Sequence, residues 1–285
     1  MLFVLLLLYQ CFIRLFVGGK VAVKALNGVP GSGKTLNLTR IAINHYKKQN
    51  NIIKRYAVKL LAKLKIEKMI ILNDYYNRFP YHKINNIYTN YPILLDKRHK
   101  IYSNSVDIWD LNNDYSFEPN ALIGIDEVQL RVDSDEYKDK EVNKKIANVA
   151  KFLQAHRHFG IKDIYLISQH PSRIFKKARN VCEVYIKQSK LIKIPFTDYS
   201  LMKMTSYFNI DDYGKYIPKS REERKKLPFE YKKKIVLFNH SKVFKSFDSR
   251  YLSLYNYNKP LKDSNNYHSL KIEYNELEKI FNGNS

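Results

Sequence analysis

Apolar positions along the chain gather in short runs separated by longer amphipathic or polar stretches. Val21-Ala22-Val23-Lys24-Ala25-Leu26-Asn27, Ile87-Tyr88-Thr89-Asn90, Ala121-Leu122-Ile123-Gly124-Ile125 and Ile164-Tyr165-Leu166-Ile167 each read as a buried strand. Residues 36–66 read as one or two basic helices, broken near Asn50-Asn51. A charged stretch from Asp133 to Lys145 opens a further helix. In it Val142, Ile146, Val149 and Leu153 recur three and four apart and make one apolar face. Short apolar strands alternating with helices predict an α/β fold, a mostly parallel central sheet with helices on both faces.

The remaining pattern is less regular. Met69-Ile70-Ile71-Leu72 reads as a strand or a helix end, and residues 73–86, rich in Asn, Tyr and Pro, as loop. Val181 to Ile186 and Leu191 to Phe196 read as a hairpin turning at Gln188-Ser189. Residues 198–234 read as basic and irregular, with a cluster from Lys219 to Lys226 and Lys232-Lys233-Lys234. Ile235 to Phe238 reads as a late strand. The tail from about Asn256 is polar, with a short helix expected near Tyr274 to Phe281.

Residues 1–19 stand apart. Met1 to Val17 is almost wholly apolar, broken by Gln10 and Arg14. It lacks the basic start and small-residue cleavage site of a secretory signal. If it spans a membrane, Arg14, Lys20 and Lys24 place the following chain in the cytoplasm. Only Gly18-Gly19 separate it from the first strand, which leaves little room at a membrane surface. Two other readings therefore stand beside the anchor: a buried or surface-docked helix, or a true start further downstream. The division expected is 1–19 as this segment, 20–250 as the main domain and 251–285 as a polar tail.

Charge adds a partner class. The 285 residues carry 50 Lys and Arg against 27 Asp and Glu, a formal net charge of +23. A field of that sign favours a polyanion or an anionic membrane surface, although codon bias in an AT-rich genome also enriches lysine. The two cysteines, Cys11 and Cys182, give neither a disulfide framework nor metal-ligand spacing. His156 and His158 likewise have no Cys or acidic partner at such spacing.

The chemistry begins at Gly28-Val29-Pro30-Gly31-Ser32-Gly33-Lys34-Thr35, which fits the P-loop pattern at every fixed position. Only nine glycines occur in the chain, and three fall in these eight residues. A strand precedes the loop and a helix follows it, as phosphate binding requires. Loop N–H groups and the helix N-terminus face the β-phosphate of ATP. Lys34 adds a full charge on the β- and γ-phosphates, and the Thr35 hydroxyl is a ligand for Mg²⁺. About 90 residues on, Leu122 to Glu127 has the form of a Walker B element. Asp126 would hold Mg²⁺, and Glu127 is the expected general base. Gln169 ends the next strand, where a polar residue can sense the γ-phosphate. Arg157 is expected either to reach a phosphate, in its own subunit or a neighbour's, or to close its helix C-terminus.

These elements occur in an order that resembles the zonular occludens toxin (Zot) domain family. The carriers are Gly28 to Thr35, Tyr88-Thr89-Asn90, Ile125-Asp126-Glu127-Val128-Gln129, Arg157-His158-Phe159-Gly160, Ile167-Ser168-Gln169-His170-Pro171 and Lys245-Ser246-Phe247-Asp248-Ser249. The resemblance covers about residues 20–250. It implies an FtsK/HerA-like ATPase at the host inner membrane that assembles filamentous phage and extrudes single-stranded phage DNA. It also implies phage coat or assembly proteins as partners, and a homo-oligomeric ring. Composition is similar to that of a phage of an AT-rich host. Family members place a membrane span after the ATPase domain, whereas here no sufficiently long apolar run follows residue 200. Residues 1–17 are the one candidate anchor. Two other readings are a P-loop kinase of a small molecule and a non-catalytic nucleotide-binding membrane scaffold.

Overall fold

The computed structural model describes residues 22–65, 70, 73–74, 76–77, 84–112, 116–118, 120–130, 140–217 and 220–247. The apolar segment 1–17, the tail from 251 with its expected helix, residues 133–139, Lys219, Asp248 and Ser249 lie outside the described residues, as do Met69, Ile71 and Leu72. The described chain divides into two compact units, residues 45–84 and residues 22–44 with 85–247.

The larger unit carries the sheet. Its strands are β1 (Ala22–Asn27), β2 (Ile87–Thr89), β5 (Asn104–Ser105), β6 (Leu122–Ile125), β7 (Asp163–Ser168), β8 (Val184–Lys193), β9 (Tyr199–Tyr207) and β10 (Tyr231–Asn239). Among the described residues they form one eight-stranded sheet in the order β10-β9-β8-β1-β7-β6-β2-β5. The strands from β8 to β5 run parallel, and β9 and β10 add an antiparallel edge. A small antiparallel pair, β3 (Leu94–Asp96) with β4 (Ile101–Tyr102), lies outside this sheet. The mostly parallel α/β fold expected from the alternation is the one observed.

Helices cover both faces because successive side chains of a strand point to opposite sides. Helix α1 (Lys34–Gln49) leaves the P-loop, and the division between the two units falls within it. Helix α3 (Lys140–Ala155) buries Ile146, Val149, Phe152 and Leu153 against Val23, Ala25, Ile123, Ile125, Ile164 and Leu166. On the other face Gly124 meets α1. A Cβ built there would lie 2.5 Å from Leu38 Cδ2, and Leu38 is fully buried. Glycine at this strand position therefore lets the helix approach the sheet.

The smaller unit holds helix α2 (Ile52–Lys63), separated from α1 at Asn50-Asn51 as expected. Residues 73–74 and 76–77 are helical where a loop was expected. Tyr76 accounts for this: its ring is buried with Val58 and Ile84, and its hydroxyl donates to Gln49 Oε1 at 3.0 Å. Tertiary burial overrides the local turn propensity.

Three expectations on the C-terminal side are corrected. Val181 to Phe196 is not a hairpin around Gln188-Ser189. Its middle, Val184–Lys193, is the single long strand β8, and the chain turns later, at 194–198, where Phe196 has φ of 59°. Residues 198–234 are not irregular, since β9 fills 199–207 and β10 begins at 231. The late strand expected at 235–238 is the second half of β10. Both strands pair along most of their length, which supplies backbone hydrogen bonds that the lysine-rich sequence does not advertise.

The Gly124–Leu38 contact gives a stability test. Gly124→Ala should destabilise the protein by about 1–3 kcal/mol through overpacking, and Leu38→Ala by about 2–5 kcal/mol through the cavity it leaves. The double variant should cost clearly less than the sum of the two, measured by denaturant unfolding, because the added methyl occupies the vacated space.

Candidate nucleotide site

The P-loop closes the carboxyl end of β1, next to the ends of β7 and β6. From β1 the chain crosses by α1 to β2 on one side, whereas β7 leads to β8 on the other. Strand order thus reverses at β1 and β7, where open α/β sheets bind their ligands. Gly31 and Gly33 have φ of 74° and 84°, a region costly for residues with a Cβ. At Gly28 the reason is contact: a Cβ would lie 2.6 Å from Gln188 O and from Ser32 Oγ. Lys34 is buried, and its Nζ donates to Gly28 O at 2.8 Å and Val29 O at 3.3 Å.

Asp126 joins this loop to the second acidic motif. The Thr35 hydroxyl donates to Asp126 Oδ2 at 2.5 Å, across 91 residues of sequence. Its other oxygen, Oδ1, accepts the Glu127 N–H at 2.9 Å. Asn90 holds the Asp126 backbone from both sides: Nδ2 donates to Asp126 O at 2.8 Å, and Oδ1 accepts the Asp126 N–H at 2.8 Å. Asn90 follows β2, which pairs with β6, so the Thr89-Asn90 strand end has a mechanical role. Beneath it, the Tyr91 hydroxyl lies 3.2 Å from Thr39 Oγ1 and 3.3 Å from Thr35 O. Burial and the Asp126 carboxylate hold the Tyr91 phenol well above its usual range.

Asp126 is 1% exposed. Burial pushes its carboxyl from 3.8 up to about 6; the Thr35 hydrogen bond pulls down and the Glu127 charge pushes up. The fit to Mg²⁺ rests on these atoms. A hydroxyl and a carboxylate, both hard oxygen donors, already share one position, and Mg²⁺ needs only one or two protein carboxylates beside phosphates and waters. Among the described residues no group of three or more His, Cys, Asp or Glu offers an alternative metal site.

Glu127 follows in a left-handed backbone conformation, φ 50°, uncommon for a residue with a side chain. This turn ends the strand and starts the single-turn segment Val128–Leu130, with Leu130 N donating to Glu127 O at 2.9 Å. The Gln129 side-chain amide donates to Glu127 Oε2. Gln169 is also brought to the loop: its carbonyl accepts the Gly28 N–H at 3.3 Å. Its side-chain oxygen accepts from Arg173 at 2.8 Å. Beside it Ser168 Oγ donates to Asn27 Oδ1 at 2.6 Å, and Asn27 Nδ2 is buried without a partner among the described residues.

Arg157 is not brought to this site. It lies before β7 begins, so strand direction puts it at the amino edge of the sheet, opposite the P-loop. There it pairs with Glu183 at 2.6 Å, just ahead of β8. Reach to a phosphate in its own subunit is excluded by this placement. Cys182 is a core thiol whose pKa burial raises to about 12, and buried His156 has its pKa lowered by burial.

Sequence reasoning missed Gln188. Its side-chain amide donates to Ser32 O, and its Oε1 accepts from Asn37 Nδ2 at 3.2 Å. The neighbouring strand thus braces both the P-loop and the first turn of α1. Asn90 was visible only as part of an ordered motif, with no local signal of what it grips.

The Asp126 site has a pH signature. Its folded pKa, about 6, lies above its ordinary 3.8, so the ionised carboxylate costs stability. The cost is absent below pH 3.8, grows as pH rises to about 6, and is constant above. It is on the order of 2–3 kcal/mol. Asp126→Asn keeps Oδ1 as acceptor for the Glu127 N–H, turns Nδ2 into a donor to the Thr35 hydroxyl, and should raise the Tm of the nucleotide-free protein at pH 8. The same variant should lose Mg²⁺-dependent binding of a fluorescent ATP analogue. In the wild-type protein that binding should weaken below about pH 6, while binding in EDTA should not follow the same curve.

The family model described as "Zonular occludens toxin (Zot)" matches residues 22–226. No curated protein matches the chain. Among solved structures, the N-terminal domain of zonular occludens toxin from Neisseria meningitidis is similar at 15% identity, covering 81% of this chain and 100% of that one, with a TM-score of 0.40. B204, the DNA-packaging ATPase from Sulfolobus Turreted Icosahedral Virus, is similar at 14% identity over 62% of this chain and 79% of that one, with a TM-score of 0.30. The family match takes in the P-loop, the Asn90 clamp, Asp126, Glu127 and the Gln188 brace, and the chain belongs to the zonular occludens toxin (Zot) family.

Proposed function

We propose that this protein is an ATP-hydrolysing motor of phage virion assembly that extrudes single-stranded phage DNA through the host membrane. The observation that carries the hydrolytic part is the Thr35–Asp126 contact, which joins P-loop and acidic strand in one site. Family membership and the net charge of +23 support the nucleic-acid part.

Thr35 Oγ1 and Asp126 would hold Mg²⁺, which when bound supplies charge neutralisation on the β- and γ-phosphates. The protein's own groups do the rest. Lys34, now bonded to the Gly28 and Val29 carbonyls, exchanges them for phosphate oxygens. The N–H groups of Gly31, Gly33, Lys34 and Thr35 line the loop and the start of α1, where they favour negative charge, while that of Ser32 donates to Val29 O at 3.1 Å. Glu127 leaves Gln129 and polarises the attacking water as general base. Gln169, tied to Gly28 by its backbone, senses the γ-phosphate. In a homo-oligomeric ring, Arg157 serves a neighbouring subunit, since its own site lies at the other edge of the sheet. Residues 1–17 are the proposed anchor, with the ATPase domain cytoplasmic and phage coat or assembly proteins as partners.

The test is the ATPase rate with and without single-stranded DNA. The wild-type rate should rise with DNA, Lys34→Ala should abolish turnover, and Glu127→Gln should lower it by about 10²–10⁴-fold while retaining nucleotide binding. No stimulation by any nucleic acid would contradict the motor.

A further inference from the structure

The ribbon that braces the P-loop has a second face. Strand β8 pairs with β1 only as far as Asn27↔Lys187; beyond that it pairs with β9 alone. A register shift between Gln188 and Lys190 inserts Ser189. This bulge sorts the side chains. Gln188 and Leu191 both face the P-loop, Leu191 lying 3.3 Å from a Cβ built on Gly33. Lys187 and Lys190 both face the other way, since each lies opposite a β9 residue of that face, Thr205 and Lys203.

Two rows of this opposite face are cationic. Lys187, Thr205 and Lys233 form one, and Lys190, Lys203 and Ile235 the next. Lys190, Lys203 and Lys233 are exposed, and Ile235 is 67% and Leu237 57% exposed. Strands β8, β9 and β10 contain seven lysines and no acidic residue, and four of the lysines, Lys187, Lys190, Lys203 and Lys233, lie on this face. The flanking acids Glu183, Asp198, Asp211, Asp212 and Glu230 lie outside the strands; Glu183 pairs with Arg157, Asp212 with Lys215, and Asp198 accepts from Ser241 at 2.7 Å. Like charges directly opposite across a sheet, as at Lys190↔Lys203, destabilise it. A bound polyanion removes that cost.

We infer that this face of the β8–β9–β10 ribbon binds single-stranded nucleic acid, with the exposed Lys190, Lys203 and Lys233 on phosphates and Ile235 and Leu237 beneath the sugars and bases, while Lys187, its Nζ over the Tyr213 ring, lies at the covered edge of the face. The inference rests on the nucleic-acid motor reading and gives it a surface. It also gives a route to the nucleotide, because β8 carries Lys187 and Lys190 on one face and the Gln188 brace on the other.

The test is fluorescence anisotropy of a labelled oligodeoxythymidine against the full chain across a salt series. Lys190→Ala/Lys203→Ala should weaken binding about tenfold or more and lower the salt slope by about 1.4, the loss of two phosphate contacts to a single strand. Retained Mg²⁺-ATP binding shows that the variant is folded. Lys144→Ala/Lys151→Ala, which removes two exposed lysines from α3, should leave affinity close to wild type. If the wild-type protein binds the oligonucleotide and the ribbon variant binds equally well, the inference fails and the motor reading stands. If the wild-type protein binds no nucleic acid, both fail. If it binds phosphatidylserine vesicles instead, and the ribbon variant does not, the face is a lipid surface and the inference is overturned.

Discussion

A carboxyl held out of water resists ionisation unless a cation lies beside it, and Asp126 is such a carboxyl. Its oxygens are satisfied by Thr35 and the Glu127 N–H, its backbone is clamped by Asn90, and it remains reluctant to ionise. Strands β1, β2 and β6 must all be in register for these contacts to exist, because each supplies or positions one of the partners. A buried acid of this kind is poor design for stability alone. It suits the proposed role, because a divalent cation arriving with a nucleotide would take the place of the Thr35 hydrogen bond and add to the compensation that Lys34 gives.

The second constraint is the close packing that lets the loop sit where it does. Gly28 admits the Gln188 carbonyl, and Gly124 admits Leu38 from α1. Gln188 reaches across from β8 to the Ser32 carbonyl and to Asn37 in the first turn of α1. The P-loop is therefore held by two layers, the helix it opens and the strand beside it. These contacts tie the position of the loop to that of β8.

What was legible in the sequence follows from where the information lies. Lys34, Thr35, Asp126 and Glu127 stood out because phosphate and metal chemistry fixes residue type and spacing locally. Strands β1, β6 and β7 were readable because burial on both faces makes them continuous apolar runs. Strand β8 was misread because Gln188-Ser189 looks like a polar turn between apolar flanks. Its amide is in fact satisfied by a loop 156 residues away, and Ser189 is a bulge. Strand β10 was half missed because lysines on an exposed sheet face resemble loop. Arg157 looked close to the site because it precedes β7 by a few residues. Strand direction, which spacing does not encode, puts it at the far edge.

The central claim is that Thr35 and Asp126 give up their mutual hydrogen bond to share one Mg²⁺ with a nucleotide on the P-loop. A crystal structure with Mg²⁺ and a non-hydrolysable ATP analogue tests it directly. The account predicts the metal between Thr35 Oγ1 and Asp126, with Lys34 Nζ moved from the Gly28 and Val29 carbonyls to the phosphates. A bound analogue with the Thr35–Asp126 hydrogen bond intact and Lys34 still on those carbonyls would contradict it.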